Sequence, residues 1–264
     1  MEQNRLLTVL AVIGSLAVQA WAQPPKFEVA SIKPTHEPGG VTFGVGNGGG
    51  GGRNVSLKTL MAFAWRLQEF QISGASGWVG SDRFDIEAKA ANPSTDPDQL
   101  RIMLQSLITE RFQLQFHFDT RETAVYLLTV SKGGPKMHRS GDQFSPTVNG
   151  PPLPGAGPNR GALRVGSGSL IGNAVPLSLF TRLLSQRAVL DRTGLSGRFE
   201  IELRWTPGPG EMPYDPGGNP LPPADVSGPS VFAAIQEQLG LKLESARGPV
   251  QFLVIDQVRK PSAN

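Results

Sequence analysis

The side chains able to do chemistry are few and scattered. Three histidines, His36, His117 and His138, lie far apart in the chain. A local metal site needs ligands within a few residues of one another, so no metal is expected. His117 falls in an alternating stretch, on the face opposite Phe116 and Phe118, and reads as an exposed strand residue. Cysteine is absent, which removes disulfides, thiolate metal sites and cysteine nucleophiles. Serines occur in Gly166-Ser-Gly-Ser169, without the strand-turn-helix setting of a nucleophile elbow. Gly44-Val-Gly-Asn-Gly-Gly49 satisfies a dinucleotide-binding pattern only because any glycine run does, and no Gly-Lys-Ser/Thr follows it.

Carboxylates are paired twice, at Asp85/Glu87 and Glu200/Glu202. At i and i+2 on a strand they share a face about 7 Å apart, near the spacing of glycosidase pairs. They alternate with Phe84/Ile86 and Phe199/Ile201, which is the pattern of the solvated side of a half-buried strand. Aromatic and basic side chains remain. Trp78 is flanked by Gly74, Gly77 and Gly80, and an aromatic in such a turn suits contact with a ligand. Trp65 sits off the apolar stripe of its helix, and Trp205 is a further groove candidate. The expected ligand or partner contacts are Trp78, Trp65, Arg83 and Arg198. Asp85 and Glu87 are the alternative catalytic pair. No cofactor is expected.

These residues need elements to hold them. Lys26–Lys33 alternates as a strand and ends at Pro34. Leu57, Leu60, Met61 and Ala64 form one stripe of a helix running to about Leu67, capped by Asn54 or Ser56. Phe70–Ser73 and Arg83–Ala88 are strands. Asp96 or Asp98 caps a helix built on Leu100, Met103, Leu104, Leu107 and Ile108. Phe112, Leu114, Phe116 and Phe118 alternate; Thr120–Thr123 is expected to turn the chain, with Ala124–Ser131 returning as a hairpin. In Gly44–Gly52 seven of nine positions are glycine, leaving no side chains to fix the segment. Proline and glycine crowd Lys132–Ala162, read as a mobile linker, and Pro207–Pro229.

The pattern then starts again. Val175-Pro-Leu177 parallels Val55-Ser-Leu57, with a helix from Leu177 to about Gln186. Arg198-Phe-Glu-Ile-Glu202 repeats Arg83-Phe-Asp-Ile-Glu87. Val231, Ile235 and Leu239 form a helical stripe, followed by Leu241 and Leu243 and by Val250–Ile255. Matches recurring in the same order point to an internal duplication. The expected fold is α+β, with helix-strand-strand units forming antiparallel sheet and helices on one face. The first strand is expected to pair with Val250–Ile255. The expected divisions are 1–22, 23–136, a linker at 137–162, and 163–264.

Composition narrows the class. Charged residues are 18% of the chain, too few for a coiled coil or a charged disordered chain. Net charge is +3 and the longest basic run is Arg259-Lys260, so nucleic acid is not an expected partner. Arg5 precedes an apolar stretch, Leu6–Val18, and Ala20-Trp-Ala22 gives the small-x-small pattern of a signal peptide cleaved after Ala22. No later segment approaches membrane-spanning length.

Phe27-Glu-Val-Ala-Ser-Ile-Lys-Pro34, Gln71-Ile-Ser-Gly74 with Trp78, Asp82–Ala88, and Leu104–Leu107 with Glu110–Phe112 stand out as motifs. So do Arg121-Glu122, Lys132–Lys136, Asp191–Leu195 with Gly197–Phe199, and Val254–Asp256 with Lys260-Pro261. Together they closely resemble a soil-associated exported family of unknown function, expanded in Acidobacteria, over nearly the whole chain after residue 22. The resemblance implies no activity. Related domains joined to membrane metallopeptidases of the beta-lactam-sensor type suggest extracytoplasmic sensing or interaction. This chain has no His-Glu-x-x-His of its own. The expectation is an exported, periplasmic or extracellular binding module for an envelope or extracellular ligand or protein. The alternative is an extracytoplasmic hydrolase acting on polymers.

Overall fold

A computed structural model describes residues 24–35, 42–46, 48–74, 77–93, 95–141, 143, 161, 163–184, 187–207 and 228–261. The signal-like segment, His36 and most of the two Pro/Gly-rich stretches lie outside these residues. The fold is α+β, with more of the described chain in strands than in helices.

The first sheet holds β1 (Val29–Thr35), β2 (Thr42–Gly46), β3 (Gly49–Ser56) and β5 (Arg83–Lys89), in the order β1-β5-β3-β2. β3 runs directly into α1 (Leu57–Ala64). Ser56 caps this helix by accepting the Thr59 N–H at 3.0 Å, as its position before an apolar stripe predicts. A short β4 (Ile72–Ser73) and α2 (Gly77–Ser81) precede β5. Next comes α3 (Pro97–Arg111), where Asp96 accepts the Asp98 N–H at 2.8 Å and Pro97 supplies a preset first turn.

The second sheet holds β7 (His138–Arg139), β8 (Leu163–Gly166), β9 (Ser169–Pro176) and β11 (Arg198–Arg204), in the order β7-β11-β9-β8. β9 runs into α4 (Leu177–Leu184), with β10 (Val189–Asp191) between α4 and β11. The helix α5 (Val231–Ala234) continues as a π-helical turn, Ile235–Leu239, ending on Gly240 at φ 66°.

The two sheets match in detail. Val55 lies opposite Phe84 and Ser56 opposite Arg83; Val175 lies opposite Phe199 and Pro176 opposite Arg198. Each pairing slips just beyond these residues, between Gly52 and Val55 and between Phe199 and Ile201. At each slip a residue takes a left-handed backbone, Asn54 at φ 53° and Ala174 at φ 53°. Its N–H is satisfied by a carboxylate of the facing strand. Asn54 donates to Asp85 Oδ1 at 2.8 Å, and Ala174 donates to Glu200 Oε1 at 3.2 Å.

The third sheet joins everything. β6 (Gln115–Val130) and β12 (Leu241–Gln257) form one long antiparallel ribbon, from Leu241 opposite Val130 to Gln257 opposite Gln115. β10 flanks β6 and β4 flanks β12, both parallel, giving the order β10-β6-β12-β4. The local hairpins expected at Thr120–Thr123 and between Leu243 and Val250 are therefore opened out. Thr120-Arg-Glu-Thr123 contains neither Gly nor Pro, so nothing forces a turn, and Thr favours a strand. Gly248-Pro249 is tolerated because β12 has a second neighbour only further on, at Leu253 and Val254. The expected pairing of first and last strands is also overturned, since β1 pairs with β5.

Two cores result. Leu60, Met61, Phe84, Phe112 and Ile108 are buried in the first, and Phe180, Leu170, Leu203 and Ile235 in the second. β12 serves both: Leu241 and Leu243 enter the second core, Leu253 and Ile255 the first. The glycine run is not loose. Its residues pair with β5 on one side and β2 on the other. A Cβ on Gly51 would run into the Ile86 carbonyl, so the absence of side chains is what permits this close approach. The start of the expected linker is likewise ordered: β7 pairs with β11, and the Lys136 N–H bonds the Leu239 carbonyl at 2.9 Å.

Candidate functional site: an arginine-lined cleft

A cleft of about 430 Å³ opens where the two halves meet. Its residues come from the segment that follows α1, from α3, from α4, from β10 and from the middle of β12. Three are arginines, Arg66, Arg101 and Arg182, and none of the lining residues is Asp or Glu.

Arg66 is placed by the way α1 ends. The Leu67 N–H bonds the Ala62 carbonyl at 2.8 Å and the Arg66 N–H bonds the Phe63 carbonyl at 3.3 Å. This is a Schellman ending, whose left-handed residue is usually glycine. Here it is Arg66, at φ 55°. Arg101 projects from the first turns of α3, with its guanidinium 4.8 Å from the Phe63 ring centre. Arg182 lies in the last turn of α4, where a cation is favoured by the helix dipole.

A hydrogen-bonded frame holds these elements together. Gln68 Nε2 donates to the Arg182 carbonyl at 2.6 Å, and Gln71 Oε1 accepts the Gln68 N–H at 2.9 Å. Gln71 Nε2 donates to the Gln251 carbonyl at 2.8 Å. One wall is apolar, built by Leu179, Val189, Leu190 and Val250. Ser178 and Thr181 add hydroxyls on the α4 side.

The electrostatics are one-sided. Asp98 Oδ1 takes Arg101 Nη1 at 3.0 Å and also pairs with Arg66. That carboxylate is 65% exposed and serves two guanidiniums through one oxygen. Among the described residues no carboxylate pairs with Arg182. Arg101 Nε is buried with no hydrogen-bond acceptor. Burial lowers the pKa of Arg101, and the neighbouring charge of Arg66 lowers it further. Burial also lowers that of Arg182, with Arg101 and Arg66 adding to it. Both stay protonated at neutral pH, so the lowering measures how much the like charges and lost water cost.

The residues singled out from the sequence do not converge here. Trp78 stacks on Phe112, ring centres 6.4 Å apart, with Lys260 Nζ 5.7 Å from its ring. Trp65 caps α1 and meets Phe116 edge-on at 5.2 Å. Trp205 is buried in the second core. Arg83 begins β5 between Thr35 and Ser56. Arg198 Nη1 donates to the Ala174 carbonyl at 2.8 Å, buttressing the second bulge. Asp85 serves the first bulge, and Glu87 is exposed. His117 Nδ1 lies 2.9 Å from Asp256 on the outer face of the ribbon, and His138 is exposed in β7. Among the described residues no three His, Asp or Glu side chains form a metal-holding group, and no helix is long and apolar enough to cross a membrane.

Arg66, Arg101 and Arg182 were legible only in part. An arginine amid Leu177-Ser-Leu-Phe-Thr-Arg-Leu-Leu184 reads as the solvated face of a helix, and only the tertiary meeting of α1, α3 and α4 makes it a site. The one local clue is Arg66 standing where a helix end favours glycine.

Comparison with curated proteins and with solved structures finds no match. A family described as "Protein of unknown function (DUF3738)" matches residues 58–258. That span covers both sheets' helices, the ribbon and every arginine of the cleft, and the chain belongs to this family.

Proposed function

We propose that the protein is an exported binding module that holds a ligand in the cleft between its two halves. The observation that carries this reading is the cleft itself. It is framed by fixed amides, partly lined by apolar side chains, and supplied with cationic donors that outnumber their acceptors among the described residues. Pockets of this size and mixed lining are typical small-molecule sites. The N-terminal pattern and the resemblance to soil-associated exported proteins of Acidobacteria support a periplasmic or extracellular setting. The equal registers, slips and left-handed residues of the two four-stranded sheets support descent of the halves from one duplicated unit.

The hydrolase reading receives less support. Asp85 is engaged by the Asn54 N–H, and Glu87 is exposed on the face of the inner strand β5. Neither lines the cleft, and catalytic carboxylate pairs face a shared, substrate-sized space. The test is native mass spectrometry of the full chain after exposure to an envelope extract of its own cell. Retention of a bound small molecule, released on denaturation, is expected. A turnover of any extract component that is lost in Asp85→Asn would replace binding by catalysis.

A further inference from the structure

We propose that the cleft takes a small organic oxyanion, a carboxylate or phosphate head carried on an apolar body. This rests on the binding reading above and names its ligand class. The head is specified by Arg66, Arg101 and Arg182, guanidiniums whose planar forks match two-oxygen acceptors. Among the described residues a single carboxylate, Asp98, pairs with Arg66 and Arg101, and none pairs with Arg182. A metal or cationic ligand is opposed by the absence of any acidic lining residue. The body is specified by the apolar part of the lining, Leu179, Val189, Leu190 and Val250.

Two features of the chain point the same way. Arg66 occupies a left-handed position at φ 55° that glycine would fill without strain. Backbone strain of this kind persists where a side chain is needed for another purpose. Arg182 stands at the place in α4 that Ala62 holds in α1, each six residues after the strand-to-helix junction at Ser56 and Pro176. At this helix position the second half has a guanidinium where the first has a methyl group. The cleft is therefore built from the difference between the two halves.

The experiment is calorimetric titration of the full chain, at low salt, with octanoate, octyl phosphate, inorganic phosphate and 1-octanol. Octanoate or octyl phosphate is expected to bind one to one, about tenfold or more tighter than inorganic phosphate or octanol. The tighter of the two names the head group. Arg182→Gln is expected to weaken binding about tenfold, and Arg204→Gln, an exposed arginine outside the cleft, to leave it unchanged. Should Arg182→Gln fail to fold, Arg66→Gly serves instead. It removes a guanidinium while supplying the residue the left-handed position favours, so its loss of affinity is not a loss of fold. The proposal is overturned by no saturable binding of either amphiphile, by equal affinity for octanol, by inorganic phosphate binding as tightly as the amphiphiles, or by unchanged affinity in the arginine variant. A retained ligand from envelope extract alongside any of these results would preserve the binding reading and remove only the ligand class.

Discussion

Residues in left-handed backbone mark where this chain does something that side chain type alone does not announce. Gln113 at φ 47° and Gly240 at φ 66° lead into β6 and β12. A Cβ at Gly240 would run into the Gly134 carbonyl, so Gly240→Ala should cost about 1–3 kcal/mol in urea unfolding. Gln113 is exposed and already accommodates a Cβ, so Gln113→Gly should leave stability level or raise it by up to about 1 kcal/mol. Asp85 shows how a catalytic-looking residue is explained by backbone. Asp85→Ala orphans the part-buried Asn54 N–H and should cost about 1–2 kcal/mol, whereas Asp85→Asn keeps an acceptor and should cost less. The alternation of β5 was readable in the sequence, because period-two burial needs only residue type. The bulge facing it was not, because Asn54 and Ala174 share a conformation and not a chemistry.

At the scale of elements, the helices follow from local chemistry: α1, α3 and α5 start at Ser56, Asp96 and Ser230, each accepting a backbone N–H of its first turn. The strands split into two classes. β5 and β11 were legible from their matched alternation. β6 and β12 were legible as apolar stretches but not as unbroken strands, since the absence of a turn depends on the partner ribbon. The ribbon makes a prediction of its own. Leu241 and Leu253 lie near opposite ends of β12 and in different cores. Leu241→Ala and Leu253→Ala should each cost about 2–5 kcal/mol and each lower one shared unfolding transition, not separate ones. The chain preceding β1 is tied to α3 by Lys26 Nζ and Glu110 Oε2, 2.7 Å apart. The hydrogen bond from Lys26, and then its charge, hold the Glu110 carboxyl below its ordinary range. A depressed carboxyl contributes above its unfolded pKa and loses that contribution as pH falls through the folded value. Both partners are more than half exposed, so the effect is small and local. The protection of the Glu28 N–H, which bonds the Lys89 carbonyl, should therefore fall relative to its intrinsic exchange rate on acidification below about pH 4, with Lys26→Ala removing that dependence.

At the scale of the whole molecule, two similar units share one ribbon whose strands enter both cores. The first core is finished by Leu253 and Ile255, which lie at the far end of the chain, and the second receives Leu128 from β6. Fragments 24–131 and 132–264 should each lack a cooperative transition alone and regain one on mixing, as followed by circular dichroism. The likeness of β5 to β11 and of the two helix starts was visible in the sequence through Arg-Phe-x-Ile-Glu and Val55-Ser-Leu57 beside Val175-Pro-Leu177. The joining of the two units was not, because residues paired across the ribbon lie up to 142 positions apart, as in Gln115 and Gln257. The cleft belongs to this same scale: it exists only because α4 of one half meets α1 and α3 of the other. Its function is tested most directly by a crystal structure of the full chain grown with octanoate or octyl phosphate. The oxyanion head is expected within hydrogen-bond distance of Arg182 and of Arg66 or Arg101, its body against Leu179 and Val250. An amphiphile bound elsewhere on the protein, with the three arginines untouched, would contradict it.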